Sequence, residues 1–211
     1  MSKPDHTEAG TGASMRGVAV GIVTDNQDPN DMGRVKVAYP WRDDESDWAR
    51  VATTMAGPER GTYFIPEVDD EVLVAFANGE IRYPYVLGSL WNGQDAPPET
   101  NDGNNDVRKV TSRSGHELVF DDTDQSEAVK ITTSGGHSIV LDDSSGSETI
   151  TISDSKDQNS IEFDATSGSL DITGGSTLTI EAPTVEIAGK SSLRLESDGV
   201  LTINGALVNI N

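Results

Sequence analysis

"LDITGGSTLTIEAPTVEIAGKSSLRLESDGVLTINGALVNI", residues 170–210, decides the fold because apolar residues recur in it as spaced pairs. One polar residue separates the two members of a pair, and successive pairs follow at steps of 8, 7, 8, 8 and 7 residues. The pairs are Leu170/Ile172, Leu178/Ile180, Val185/Ile187, Leu193/Leu195, Leu201/Ile203 and Val208/Ile210. Alternate residues of a strand point to the same face, so each pair predicts a short strand with one apolar face, followed by a turn.

A unit that buries only two side chains cannot fold alone and needs stacked copies of itself. A β-helix made from one chain uses about twenty residues per coil, whereas these units contain seven or eight. We therefore predict an intertwined triple-stranded β-helix in a homotrimer, with the six apolar pairs as the trimer core. Strands stack roughly 4.8 Å apart, so six units extend this needle by about 30 Å.

A doubled phrase precedes the pairs: "SGHELVFDD" at residues 114–122 returns as "GGHSIVLDD" at residues 135–143, 21 positions later. In both copies a glycine and then a histidine, His116 or His137, come directly before an apolar strand. We interpret these positions as turn-to-strand corners of the same needle. An ion held on the three-fold axis by His116 or His137 is an alternative that the sequence leaves open.

The region before the needle has a different composition. Residues 16–91 contain nearly all the aromatic residues and five strand-like segments separated by turn signals, namely "VAVGIVT", "GRVKVAY", "WARVATT", "EVLVAFA" and "PYVLGSL". Five short strands without a convincing helix predict a five-stranded OB-fold barrel. Residues 92–107 are rich in Pro, Gly, Asn and Asp and predict a linker, and residues 1–15 predict a flexible tail. The needle then occupies residues 108–211, and the fold class is all-β.

Composition limits the classes of function. The 211 residues include 36 Asp and Glu against 15 Lys and Arg, a net charge of -21 that disfavours binding to nucleic acid. Two explanations stay open: a well-solvated surface, or adaptation to a high-salt, halophilic cytoplasm. Cysteine is absent, which excludes disulfides and thiolate metal sites. We find neither the apolar core of a signal peptide nor a membrane-spanning run, so we expect assembly in the cytoplasm.

No catalytic motif is present. The sequence lacks a nucleophile elbow, an H-E-x-x-H pair and a phosphate-binding glycine loop. The adjacent acids Asp121 and Asp122 face opposite sides of a strand, and "DDTDQSE" lacks the spacing of an EF-hand loop. We therefore expect no enzyme activity, no cofactor and no metal site. A polysaccharide lyase is disfavoured, and the remaining alternative is an OB-fold module that binds a glycan or envelope receptor from a β-helical stalk.

Many spaced elements within residues 17–98 resemble the phage baseplate assembly protein V family, whose module is also the OB domain of VgrG spikes. The "SGHELVFDD" units resemble the β-helical region that follows this domain in those proteins. Asp69 stands where the family often has glycine. The elements that carry the resemblance are Gly21-Ile22-Val23, Asp28-Pro29, Gly33-Arg34-Val35-Lys36-Val37, Pro40-Trp41, Trp48-Ala49-Arg50-Val51, Ala56-Gly57, Gly61, Ile65-Pro66-Glu67-Val68, Asp70-Glu71-Val72-Leu73-Val74, Phe76, Gly79, Pro84 and Val86-Leu87-Gly88-Ser89-Leu90.

The resemblance implies a trimeric central spike of a virion tail baseplate or contractile injection particle. Such a spike plugs the tail tube and pierces the target cell envelope on contraction. A separate hub protein is implied at the OB-fold end. The closing "LTINGALVNIN" has no His-x-His, so we do not expect the iron site that some phage spikes carry at the tip. Open strand edges are a liability, which predicts a PAAR-type tip protein in contact with Val208, Asn209, Ile210 and Asn211.

Overall fold

The computed structural model describes residues 17–210, so the predicted tail at 1–15 and Asn211 of the predicted tip contact lie outside the described residues. Within the described range the chain is all-β, with one short 3₁₀ turn at Ala77–Gly79. The chain divides into two compact units between Asp102 and Gly103, inside the predicted linker. Each unit has its own sheet.

The first unit contains seven short strands. They are β1 (Val18–Asp25), β2 (Lys36–Ala38), β3 (Arg50–Val51), β4 (Ala56–Gly57), β5 (Arg60–Gly61), β6 (Glu71–Phe76) and β7 (Pro84–Ser89). Five of them form one sheet in the order β2-β1-β6-β7-β3, and β4 and β5 form a separate hairpin. All neighbours in the five-stranded sheet run antiparallel except β3 and β7, which are parallel.

A reciprocal pair of backbone hydrogen bonds closes this sheet into a barrel. The Val35 N–H donates to the Ala49 carbonyl at 3.0 Å, and the Ala49 N–H donates to the Val35 carbonyl at 2.7 Å. These residues extend the two edge strands β2 and β3, so no open edge is left between them. A closed five-stranded barrel is the architecture of the OB-fold, which confirms the predicted fold of this unit.

The barrel core is built from small side chains, most of them β-branched. Alternation along β1 and β6 points every second residue inward, as expected for strands with one buried face. The fully buried residues are Val23, Val35, Val37, Ala49, Val72, Val74 and Val86. Gly21 is required where β1 crosses β2, because a Cβ there would lie 2.3 Å from Val37 Cγ1.

The second unit is an antiparallel meander of seven five-residue strands. They are β8 (Val107–Thr111), β9 (Glu117–Asp121), β10 (Ala128–Thr132), β11 (Ser138–Asp142), β12 (Thr149–Ser153), β13 (Ser160–Asp164) and β14 (Ser169–Thr173). Each strand pairs with the next one along the chain. The doubled phrase provides β9 and β11, and the glycines before them adopt left-handed backbone angles, with φ of +85° at Gly115 and +90° at Gly136.

The described residues after Thr173 contain no strand. Of the residues predicted for the trimer core, Leu170 and Ile172 lie on β14, and both are more than half exposed. The other ten lie between 178 and 210, and each is at least 47% exposed. These ten are Leu178, Ile180, Val185, Ile187, Leu193, Leu195, Leu201, Ile203, Val208 and Ile210.

The second members of four predicted pairs illustrate this exposure within one chain. They are exposed by 66% at Ile180, 63% at Ile187, 60% at Leu195 and 62% at Ile203. The predicted burial of Ile180, Ile187, Leu195 and Ile203 is thus not found within one chain. The physical reason is that their units of seven to eight residues form no hairpin and pair with no strand of their own chain. Their place in a trimer core remains a prediction, because it depends on neighbouring chains.

The structure thus separates two regions that the sequence interpretation treated as one needle. The longer units before residue 174 form hairpins that return to their own sheet, while the shorter units after it do not. Among residues 17–210, no helix is long and apolar enough to span a membrane.

Candidate functional site: an apolar sheet face

One face of the β8–β14 sheet carries two parallel rows of side chains, here called the apolar face. Cross-strand pairing places the members of each row opposite one another from strand to strand. The first row is Val110, Leu118, Ile131, Ile139, Ile152, Ile161 and Ile172. The second row is Arg108, Phe120, Val129, Leu141, Ile150, Phe163 and Leu170. Arg108, on the first strand, is the single polar member of either row.

These side chains are only partly covered within one chain. Ten of them have exposed fractions between 37% for Ile139 and 54% for Leu170. A contiguous exposed apolar surface of this kind marks an interaction site. Cross-strand pairs of branched side chains also stabilise the sheet itself, by roughly 0.2–1 kcal/mol for each pair.

The opposite face of the same sheet is largely polar, although it also carries Val119 and Val140. Lys109 pairs with Glu117 at 2.7 Å, and Lys130 pairs with Asp121 at 3.1 Å. An antiparallel sheet with one apolar and one ion-paired face has its polar side toward water and its apolar side toward a core. The apolar face is therefore the side that an assembly would bury.

Aspartates form the turns along one edge of the sheet. The Asp142 carboxylate accepts the Ser144 N–H at 2.8 Å, and that of Asp164 accepts the Ser167 N–H at 2.9 Å. Asp121 accepts the Thr123 hydroxyl at 2.7 Å. Because these bonds favour the ionised form, they lower the pKa of all three aspartates, and Lys130 lowers that of Asp121 further.

The first acid of each pair in the doubled phrase, Asp121 or Asp142, is therefore a turn-forming residue. Among residues 17–210, the structure brings together no group of three His, Asp or Glu side chains that could hold a metal ion, and this includes the "DDTDQSE" turn.

Histidines occupy the other edge of the sheet. The Nδ1 atom of His116 accepts the Ser134 N–H at 3.1 Å, and that of His137 accepts the Ser155 N–H at 3.3 Å. The rings thus rest on the turns, at the corners where sequence reasoning placed them. The sequence analysis did not identify a third equivalent residue, Asn159. Asn159 directly precedes β13, as the histidines precede β9 and β11, and this position could have identified it.

In the barrel unit, Asp28 organises the loop between β1 and β2. Its side chain is 3% exposed, and its carboxylate accepts the N–H groups of Asn30 and Met32, each at 3.0 Å. The Arg34 guanidinium donates to both carboxylate oxygens at 2.7 Å and holds the pKa of Asp28 far below its usual range. Gly33 supplies a left-handed turn with φ of +65°. This network explains why Asp28-Pro29 and Gly33-Arg34 occur together.

The closed barrel is also the part of the chain that matches a known family. Residues 19–91 match the family described as the type VI secretion system and phage-baseplate injector OB domain. The barrel is an injector OB domain of this family. The match confirms the resemblance to baseplate and VgrG-like spike proteins.

Curated proteins similar to this chain include spike proteins. VgrG3 of Vibrio cholerae is 32% identical over 111 residues, which cover 47% of this chain and 11% of the relative. VgrG2a of Pseudomonas aeruginosa is 32% identical over 105 residues, or 44% of this chain and 12% of the relative. The actin cross-linking toxin VgrG1 of V. cholerae is 35% identical over 74 residues, or 32% and 7%.

The matches thus span about a tenth of the length of these relatives. Two of the three are named as type VI secretion spike proteins and one as a toxin. Together with the injector OB domain, they support a structural role in a spike or baseplate.

Proposed function

We propose that this chain is the structural central spike of a contractile tail or injection machine and assembles as a homotrimer. The apolar face is the observation that carries the proposal. Thirteen apolar side chains form two rows over seven strands, and ten of them are at least 37% exposed within their own chain. Three copies around one axis would cover all three faces with a single shared core.

Energetics favour such an assembly. Full burial of one Ile, Leu or Phe side chain contributes about 1.5–3 kcal/mol. Association costs about 4–15 kcal/mol in lost translational and rotational freedom. With ten exposed and three half-buried apolar side chains in each chain, covering the faces would offset that cost. The apolar pairs at 178–210 would add to the same core by pairing with strands of neighbouring chains.

In this role the action of the protein is mechanical. A needle whose strands pair across three chains resists bending and transmits force, so contraction of the machine would drive it through a target cell envelope. Before contraction it would plug the tube. The expected partners are a baseplate hub protein at the OB-fold end and a PAAR-type tip protein on Val208–Ile210, where Ile210 is 87% exposed.

Two neighbouring residues of β12 give a matched test of the shared core. Ile152 lies on the apolar face and Thr151 on the polar face, opposite Glu162. Ile152→Lys places three ammonium groups in the proposed core without partners, which is costly, whereas Thr151→Lys adds the same charge beside a carboxylate. By size-exclusion chromatography with light scattering, we expect a mass of three chains for the wild type and Thr151→Lys, and of one chain for Ile152→Lys. A monomeric wild type would contradict the proposal.

A cleft in the barrel unit favours a second candidate, a binding module for glycans or an envelope receptor. The cleft has a volume of about 760 Å³ and is lined by Arg50, Arg60, Tyr63 and Phe64, among others. The two aromatic rings are largely exposed, and OB-folds bind oligosaccharides. A glycan array probed with the full chain tests this role, which the absence of any specific glycan would contradict.

A further inference from the structure

The histidine edge of the β8–β14 sheet repeats one hydrogen bond three times. His116, His137 and Asn159 each directly precede an odd-numbered strand: β9, β11 and β13. Each side chain accepts a backbone N–H from the next turn on the same edge. The donors are Ser134 at 3.1 Å, Ser155 at 3.3 Å and Gly175 at 3.0 Å. The three bonds therefore tie four successive turns together.

The two kinds of acceptor respond differently to acid. An imidazole that accepts at Nδ1 is neutral and carries its proton on Nε2. Protonation at Nδ1 converts the acceptor into a donor that faces another donor. An asparagine carbonyl oxygen has no such transition. Two of the three bonds thus depend on protonation state, and the third does not.

The charged groups around these rings belong to several elements. In sequence, His116 is flanked by Arg113 in its own turn and Glu117 on β9, and Glu117 is paired with Lys109 of β8. The turn that His116 contacts contributes a further titratable group, His137.

Around His137, the contacted turn contributes Asp154, Lys156 and Asp157. The Asp154 carboxylate accepts the Asn159 side-chain amide and the N–H groups of Gln158 and Lys156, the latter two at 3.0 Å each, and these bonds lower its pKa to about 2. Histidine is the side-chain type that ordinarily changes charge between pH 5 and 8.

We propose that His116 and His137 are pH-sensitive latches between successive turns of this sheet edge, and that Asn159 is their pH-insensitive counterpart. At neutral pH all three latches are closed. Under acid conditions the first two open and the turns at Ser134 and Ser155 loosen, while the turn at Gly175 stays held. The inference rests on contacts within one chain and does not depend on the proposed spike function.

Amide hydrogen exchange of the full chain, resolved by NMR and corrected for the intrinsic effect of pH, tests the latches. A hydrogen bond of about 1 kcal/mol corresponds to about a fivefold change in protection. We expect the protection of the Ser134 and Ser155 amides to fall about fivefold between pH 7.5 and 5.0, and that of Gly175 to stay constant.

Asn159, the third acceptor, allows matched variants to be designed. His116→Asn/His137→Asn should remove the pH dependence at Ser134 and Ser155, and Asn159→His should create it at Gly175. The proposal would be overturned if the protection of the Ser134 and Ser155 amides in the wild type did not change with pH. It would also be overturned if the double asparagine variant lost as much protection in acid as the wild type. A second readout needs no variant: imidazole ¹⁵N shifts at pH 7.5 should show the Nε2–H tautomer, and the Nδ1–H tautomer at both rings would overturn the proposal.

Discussion

At the scale of single residues, Asp28 shows how one carboxylate fixes a loop. The Asp28 carboxylate is almost fully buried. It accepts hydrogen bonds from backbone N–H groups and a bidentate pair from the Arg34 guanidinium. A charge in such a position is stable only while its partners stay in place. Its neighbour Asp31 has the same side chain but is exposed, which provides a control.

Asp28→Asn should lower the melting temperature by roughly 10 °C, because the amide cannot accept the full set of bonds and leaves Arg34 unpaired. Asp31→Asn should leave it nearly unchanged. The folded state lowers the pKa of Asp28, so its contribution is present above the unfolded value of about 3.9 and is lost as pH falls further. The difference in melting temperature between the wild type and Asp28→Asn should thus be constant from pH 8 to 5 and shrink below about pH 4. Differential scanning calorimetry measures both effects, and a gap that grows in acid would contradict the assignment.

A second residue-scale prediction concerns glycines in the barrel. Gly21→Ala would place a Cβ 2.3 Å from Val37 Cγ1 and 2.8 Å from the Ala38 carbonyl oxygen. Overpacking of this kind costs about 1–3 kcal/mol. A Cβ added at Gly88, on β7, would have no atom within 4 Å beyond the glycine itself and its two chain neighbours, so Gly88→Ala should be tolerated. Urea unfolding of both variants measures the difference, and equal stabilities would show that β1 and β2 can move apart.

At the scale of elements, the apolar alternation was sufficient to predict the main strands of the barrel and the corners at His116 and His137. It did not predict the β4–β5 hairpin, because residues 56–61, "AGPERG", have the composition of a turn and no apolar alternation. It also did not reveal that the chain changes from in-chain hairpins to strandless units after Thr173, which leaves residues such as Ile180 and Ile203 exposed. Both regions show the same alternating pairs, and only the turn lengths between them differ.

Backbone protection in residues 174–210 provides an element-scale prediction. If these units pair with neighbouring chains, their amides should exchange slowly in the wild type and quickly in the Ile152→Lys variant. The strands β9–β13 serve as an internal reference, since their hydrogen bonds lie within one chain and should protect them in both proteins. Hydrogen exchange with mass spectrometry resolves the two regions. Fast exchange after Thr173 in the wild type would exclude inter-chain pairing there.

At the scale of the whole molecule, net negative charge is the property with the largest expected effect on assembly and stability. The net charge of -21 is spread over both units: residues 1–102 contain 18 acidic and 8 basic residues, and residues 103–211 contain 18 and 7. Three copies side by side would multiply the repulsion, which salt screens over about 10 Å at 0.1 M and about 3 Å at 1 M. Assembly and stability should therefore depend on ionic strength.

Thermal unfolding in KCl tests that dependence. We expect the melting temperature to rise by several degrees between low salt and about 2 M KCl, through reduced self-repulsion. Sorbitol at the same osmolality is the control, because it changes water activity without screening charge. A melting temperature that is independent of KCl would favour the simpler explanation of a well-solvated acidic surface.

Arg108 has a further consequence for how three copies align. The two rows of the apolar face look nearly alike from one hairpin to the next, so apolar contact alone would let chains slide past each other by two strands. Arg108 breaks that translational symmetry at β8, where it is held by Asp122 at 3.2 Å. A slipped trimer would push this guanidinium between aliphatic side chains, away from water and from its carboxylate, at a cost of several kcal/mol. In the proposed trimer, Arg108 would thus fix the register of the three chains relative to one another.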